Sequence, residues 1–202
     1  MPSPLLKERG RGLVQPVGRG LASIGITANA VTFAGLASAA ACGVSLALDH
    51  WLLALLFLVV SALCDLLDGA VARAGGGTGT AFGATLDSTA DRYGEALILA
   101  GLLIDGVRRG AGDWFLWLWV LALASSFLTS YVRARAEGLG LRCDVGLFER
   151  PERLALLALL CLLGPRFAPY LLGALALGAH ITVIQRLGLV RRVTRGGGGE
   201  GQ

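Results

Sequence analysis

Six apolar stretches, at about residues 27–48, 51–73, 83–105, 113–136, 153–165 and 167–190, take up most of this 202-residue chain. A helix needs ~20 apolar residues to cross a bilayer, and a backbone in lipid must satisfy its polar groups internally. Composition agrees, with 54% hydrophobic residues and a mean hydropathy of +0.67. The expected fold is therefore an all-α integral membrane protein of six transmembrane helices, one membrane domain rather than a soluble core. The fifth stretch is short and reads as a helix from about 151 to 166, stopped at Gly164-Pro165.

Basic residues orient the helices. With the N-terminus in the cytosol, 15 of the 18 Lys and Arg fall inside, leaving Arg108, Arg109 and Arg166 outside. The positive-inside rule favours that arrangement. The expected location is the cell membrane, with the site described below facing the cytoplasm. Residues 1–22 read as a juxtamembrane segment on the membrane surface, with Leu5, Leu6, Leu13, Val14, Val17 and Leu21 interleaved with basic residues. Pro16 is expected to prevent one unbroken helix there. Residues 1–20 have neither an unbroken apolar core nor a small-residue cleavage site, so no secretory signal peptide is expected. The membrane domain is expected over 23–192 and a glycine-rich, disordered tail over 193–202. Cys42, Cys64, Cys143 and Cys161 form no C-x-x-C pair, so neither a zinc site nor a disulfide framework is indicated.

The chemistry lies in four aspartates inside this apolar sequence. The chain reads Asp65-x-x-Asp68-Gly69-x-x-Ala72-Arg73, then a glycine-rich break, then Gly83-x-x-x-Asp87-x-x-x-Asp91. Residues three or four apart share a helix face. One acid at mid-membrane costs roughly 2.5–3.5 kcal/mol, so the group as a whole needs something that offsets it. Clustered carboxylates with no base inside either pair call for divalent cations bound through oxygen, magnesium or manganese. Gly75-Gly76-Gly77 ends one helix near Arg73–Ala74, and the next starts near Phe82 or Gly83. That hairpin is expected to bring Asp68 and Asp87 to matching depth, with Asp65 and Asp91 about one turn deeper.

These motifs resemble the signature of the CDP-alcohol phosphatidyltransferases, membrane enzymes of phospholipid synthesis. Nine residues separate Arg73 from Gly83 where the usual pattern has eight, which leaves open whether Thr78 or Thr80 takes the family's threonine position. The resemblance implies two metal ions held by Asp65, Asp68, Asp87 and Asp91, with Asp91 as general base. It implies CDP-diacylglycerol as one substrate, contacted by Asn29, Ala30, Val31, Thr32, Gly69, Arg73, Thr78 and Gly83. Thr27-Ala28-Asn29-Ala30-Val31-Thr32 is similar to the family's T-P-N-x-V-T opening, with alanine in place of proline. On the residues alone, Thr27 or Asn29 equally suits a helix cap, Gly69 and Gly83 suit close helix packing, and Arg73 suits a membrane anchor. Homodimerisation is implied by the family; a nucleic-acid partner is not expected.

Ser130-Tyr131-Val132-Arg133, Arg150-Pro151-Glu152-Arg153 and Gln185-Arg186 bear on the second substrate. Arginines at cytosolic helix ends suit a dianionic phosphate through bidentate charge-assisted bonds. The three segments resemble the actinobacterial branch of the family that joins CDP-diacylglycerol to inositol 1-phosphate with release of CMP. By that likeness Ser130, Arg133, Arg153 and Arg186 hold the acceptor phosphate, although position 133 is commonly lysine in that branch. Glycerol 3-phosphate as acceptor, or an archaeal-type ether lipid, is the alternative within the fold. A membrane prenyltransferase keeps its two acidic motifs far apart in sequence, unlike this hairpin. A divalent-cation carrier would not need the arginines.

Orientation is directly testable. A membrane-impermeant thiol reagent should label a cysteine placed at Gly76 from the cytosolic side only. Labelling of intact cells from outside would invert the topology.

Overall fold

The computed structural model describes residues 4–74 and 80–196, with side chains from residue 14 to residue 195 of these. Its regular elements are all helical: α1 (Pro4–Ser23), α2 (Ala28–Ala47), α3 (Trp51–Ala74), α4 (Ala81–Arg108), α5 (Asp113–Gly138), α6 (Arg150–Leu163), a 3-10 turn (Pro165–Phe167) and α7 (Ala168–Gly196). The chain divides into two compact units, residues 1–102 and 103–202, and α4 runs from one into the other.

The expected helices occur close to the expected boundaries, with two corrections. Helix α1 is continuous through Pro16. The proline removes one helical hydrogen bond, a cost of about 3 kcal/mol. Packing on α3 offsets it: a Cβ at Gly18 would lie 2.6 Å from the Ala70 methyl, so the two helices nearly touch just past the proline. Helix α7 continues to Gly196, so residues 193–196, expected to begin the tail, are helical; 197–202 lie outside the described residues.

Among the described residues, four segments are long and apolar enough to cross a membrane: Ala28–Ala47, Trp51–Ala74, Asp113–Gly138 and Pro165–Arg195. The protein is thus a multi-pass membrane architecture. Helix α4 spans 28 residues but carries Asp87, Asp91, Arg92, Glu95 and Asp105 along its length. Helix α6 has 14 residues, about 21 Å at 1.5 Å per residue, against a hydrocarbon core of about 30 Å. It is bounded by sequence logic. Pro151 sits in its first turn, and Gly164 takes a left-handed φ of 81° at its end.

In the first unit, small residues set the helix spacing. Gly35, Ala39 and Gly43 recur every fourth position along one face of α2. Gly35 faces Cys64 of α3, Ala39 faces Gly94 of α4, and Gly43 lies against the Leu97 carbonyl and Gly101 of α4. Such a stripe lets membrane helices meet backbone to backbone. Cys42, Leu46, Ala54 and Leu99 fill the interior around it. In the second unit α5 packs along α7, with Leu157, Leu160, Leu172 and Leu175 buried. There the ring of Phe148, in the loop after α5, lies on Gly178 of α7.

The seam makes a stability prediction. A methyl at Gly101 would overlap the Gly43 carbonyl oxygen, and both groups are backbone that cannot swing aside. Gly101→Ala should cost about 1–3 kcal/mol and lower the unfolding midpoint of the detergent-solubilised protein. Gly20→Ala, with nothing within 4 Å of the new methyl, is the control and should not lower it.

Candidate metal and phosphate sites

The two arms of the α3–α4 hairpin bring three carboxylates together. One oxygen each from Asp65, Asp87 and Asp91 lies within 4.8 Å of the others, and all three residues are half-buried. Arg92 Nη1 stands 3.4 Å from Asp91 Oδ2. Carboxylates at such separations repel by about 1 kcal/mol per pair in bulk water and about 3–4 at an effective dielectric constant near 20. An oxygen-only donor set of this charge fits a hard divalent cation.

Asp68 lies outside that group. Its Oδ2 accepts a hydrogen bond of 2.9 Å from Thr32 Oγ1 on α2, and the residue is buried. The reason is angular: at 100° per residue, positions three apart on a helix point about 60° apart, so Asp65 faces α4 while Asp68 turns toward α2. Asp87 and Asp91, four apart, diverge by only about 40° and stay together.

The residues expected to meet a nucleotide lie around these acids. Thr27 caps α2 by accepting from Ala30 N–H at 3.2 Å. Ala30 itself is exposed and Val31 is buried in the core. Thr80 accepts from Gly83 N–H at 2.9 Å at the start of α4. Asn29 Oδ1 would lie 3.6 Å from a Cβ at Gly83, so the entry to α2 approaches the entry to α4. The Arg73 guanidinium folds over Gly69, where a Cβ would meet Nη1 at 3.2 Å. Glycine therefore leaves room for that side chain on α3. Thr78 lies outside the described residues.

The second unit buries two guanidinium groups on one residue. Arg153 and Arg186 are each 4% exposed. Arg153 Nη1 donates to Thr129 Oγ1 at 3.3 Å, and Arg186 Nη1 donates to the Thr129 carbonyl. Arg186 also donates from Nε to the Val145 carbonyl at 2.8 Å and from Nη2 to Glu149 Oε1 at 3.3 Å. Arg133 is more open, and pairs with Glu137 at 2.9 Å and Asp144 at 3.3 Å. Ser130, half-buried, follows Thr129 on α5. Buried charges persist only when paired and hydrogen-bonded, and bonds from three different nitrogens fix the Arg186 guanidinium plane.

Sequence reading named the arginines and overlooked what holds them. Thr129 is one of several hydroxyl residues in an apolar helix, with no pattern marking it. Thr182 was equally inconspicuous and Gln185 stood out only beside Arg186, yet Thr182 Oγ1 accepts from Phe148 N–H at 2.9 Å and Gln185 Oε1 from Leu147 N–H at 3.0 Å. Their spacing from Arg186 is the available signal: Gly178, Thr182, Gln185 and Arg186 form one helical face.

Comparison with known proteins places these sites in a family. Residues 25–185 match the CDP-alcohol phosphatidyltransferase family. The phosphatidylinositol phosphate synthase of Mycobacteroides abscessus is 34% identical over 193 residues, covering 93% of this chain and 87% of that protein. The crystal structure of Mycobacterium tuberculosis phosphatidylinositol phosphate synthase with CDP-DAG bound superposes with a TM-score of 0.81 at 33% identity, covering 88% of this chain and 92% of that one. The same enzyme in complex with manganese and citrate gives a TM-score of 0.78 at 34% identity, covering 88% of each chain. A match over this much of the sequence, carried on helices that assemble the carboxylates, decides the matter: the chain belongs to the CDP-alcohol phosphatidyltransferase family and is an enzyme of that class.

Proposed function

We propose that the enzyme transfers the phosphatidyl group of CDP-diacylglycerol to inositol 1-phosphate, with release of CMP. The observation that carries this reading is the burial of Arg153 and Arg186 on Thr129 in a chain whose α3–α4 hairpin also gathers three carboxylates. Relatives at 33–34% identity bear the name of that activity.

In this reading Asp65, Asp68, Asp87 and Asp91 hold two divalent ions, magnesium or manganese. Such ions, when bound, polarise phosphorus and neutralise the leaving phosphate. The protein's own residues do the rest. Asn29, Ala30, Val31, Thr32, Gly69, Arg73, Gly83 and the undescribed Thr78 receive the CDP end of the lipid. Asp91 accepts the proton of the acceptor hydroxyl as its oxygen attacks the phosphorus that carries diacylglycerol. The bond from that phosphorus to the CMP oxygen breaks, and its electron pair leaves with CMP. A base for this step must come within about 3 Å of the hydroxyl in the bound complex. Thr32 keeps the Asp68 carboxylate oriented through its hydrogen bond. Ser130, Arg133, Arg153 and Arg186 bind the acceptor phosphate.

The same reading takes the chain across the membrane six times, α4 and α6 included, with the membrane domain over residues 23–192, the N-terminus cytosolic and the active site open to the cytoplasm. It takes the working unit to be a homodimer.

The test is CMP release by the purified protein given CDP-diacylglycerol, a divalent ion and a panel of alcohols. Inositol 1-phosphate should support turnover and free inositol should not. A neutral acceptor cannot make the charge-assisted bonds to Arg133, Arg153 and Arg186 that a phosphate makes. Glycerol 3-phosphate used to the exclusion of inositol 1-phosphate would reassign the acceptor and spare the reaction class. Asp91→Asn should abolish release while CDP-diacylglycerol still binds, and Arg153→Ala should raise the acceptor's half-saturation concentration at nearly unchanged lipid affinity.

A further inference from the structure

Arg133 and Arg186, both assigned to the acceptor phosphate, already hold carboxylates, and those carboxylates reach water. Arg186 is 4% exposed, while its partner Glu149 is 40% exposed. Arg133 pairs with Glu137 and with Asp144, the latter 65% exposed. Asp144 and Glu149 both come from the segment between α5 and α6, residues 139–149.

The backbone of that segment is anchored separately from its acids. Gln185 accepts from Leu147 N–H, Thr182 accepts from Phe148 N–H, and Arg186 Nε donates to the Val145 carbonyl. The Phe148 ring seats on Gly178, within 2.6 Å of where a Cβ would lie. One face of α7 thus grips the segment over Val145 to Phe148, and the acidic side chains on either side extend outward. Arg186 divides its donors in the same way. Nε and Nη1 go to backbone carbonyls and fix the guanidinium plane, whereas Nη2 meets an exposed carboxylate. The first two partners cannot leave without moving the backbone. The third can leave by side-chain rotation alone.

We infer that Asp144 and Glu149 are displaceable occupants of the acceptor-phosphate site: they fill anion positions on Arg133 and Arg186 until a phosphate dianion replaces them, and so set the apparent affinity for the phosphorylated acceptor. The inference rests on the reading that these arginines bind the acceptor phosphate. A phosphate monoester carries about −1.5 to −2 charges near neutral pH and offers three strong acceptor oxygens, against one charge and two oxygens for a carboxylate. It can therefore supply both arginines where each carboxylate serves in part. A neutral polyol brings no replacement charge and leaves the carboxylates in place. With the site empty, they also give the buried guanidinium a counter-charge that it otherwise lacks. Apparent affinity for the acceptor is lowered by the fraction of molecules in which the arginines are covered. Removing a covering carboxylate should tighten acceptor binding.

The test uses the full-length purified enzyme with CDP-diacylglycerol and varied inositol 1-phosphate, and inorganic phosphate as a competing anion. Asp144→Asn and Glu149→Gln keep side-chain shape and remove charge. Each should lower the half-saturation concentration for inositol 1-phosphate by roughly two- to fivefold, the scale of an exposed ion pair, with a parallel fall in the inhibition constant of inorganic phosphate. The double variant should go further. Glu152→Gln, exposed in the first turn of α6, is the control for a general change of charge and should shift neither quantity. An unchanged or raised half-saturation in both carboxylate variants, while Arg153→Ala still raises it, would overturn the inference and leave the phosphate site standing. An equal fall in Glu152→Gln would reduce it to a bulk charge effect and overturn it too. If Arg153→Ala also leaves half-saturation unmoved, the phosphate site itself fails and the inference with it. Should Glu149→Gln disturb the start of α6, Asp144→Asn in the exposed segment decides the question alone.

Discussion

Carboxylates repel at short range, and the repulsion grows as water is withdrawn from around them. Asp65, Asp87 and Asp91 nevertheless share a space less than 4.8 Å across. Nothing about apolar helices would hold them there by itself, because lipid solvates an apolar side chain as well as another helix does. What holds α4 in place is backbone contact. Gly43 of α2 and Gly101 of α4 meet with no side chain between them, and Gly94 rests on Ala39 nearer the acids. With α4 fixed on α2, and α2 packed on α3, the acidic start of α4 stays opposite the acidic end of α3. The glycine seam and the carboxylate triad are two ends of one device. A hard cation in the triad would turn its repulsion into attraction, so the protein's own packing need hold the acids only while the ion is away.

How much of this was legible follows from the kind of signal each feature leaves. Helix positions were legible because apolar runs and glycine breaks act locally: α3 ends at Ala74 and α6 stops before Gly164, where the residues say they should. The acids were legible because charge inside apolar sequence is expensive. Pro16 misled, since its cost is local while α1 packs on α3 on a larger scale, with Gly18 against Ala70 joining residues more than 50 positions apart. The division of labour among the acids was not legible either. Three-residue spacing puts Asp65 and Asp68 on a common face only approximately, and the remaining rotation decides which one faces α4 and which one meets Thr32.

Burial of arginine was the least legible feature of all. Arg153 and Arg186 read as basic residues near helix ends, where a topology determinant would also stand. Their solvent exposure separates the roles. An anchor snorkels its charge toward water, whereas these two groups are 4% exposed and spend donors on Thr129. Thr129 serves one through its hydroxyl and the other through its carbonyl, so one threonine in mid-helix meets both groups.

Arg133 departs from the lysine common at its position in the branch this chain resembles, and its geometry gives the departure a physical sense. Its Nε donates to Glu137 one turn along α5, and its Nη2 reaches Asp144 in the following segment. A guanidinium can serve two carboxylates in different directions because its donors are fixed on a planar fork. An ammonium group is a compact point charge that must move between such partners or sit between them. Arginine here therefore allows one carboxylate to stay while the other is exchanged. Glu137, held within the helix at four-residue spacing, is the natural one to stay. On the proposed reading, Asp144, the more exposed of the two, is the one to yield to an incoming phosphate. The substitution at 133 thus makes sense together with the acidic segment that faces it, and the two would be expected to change as a pair.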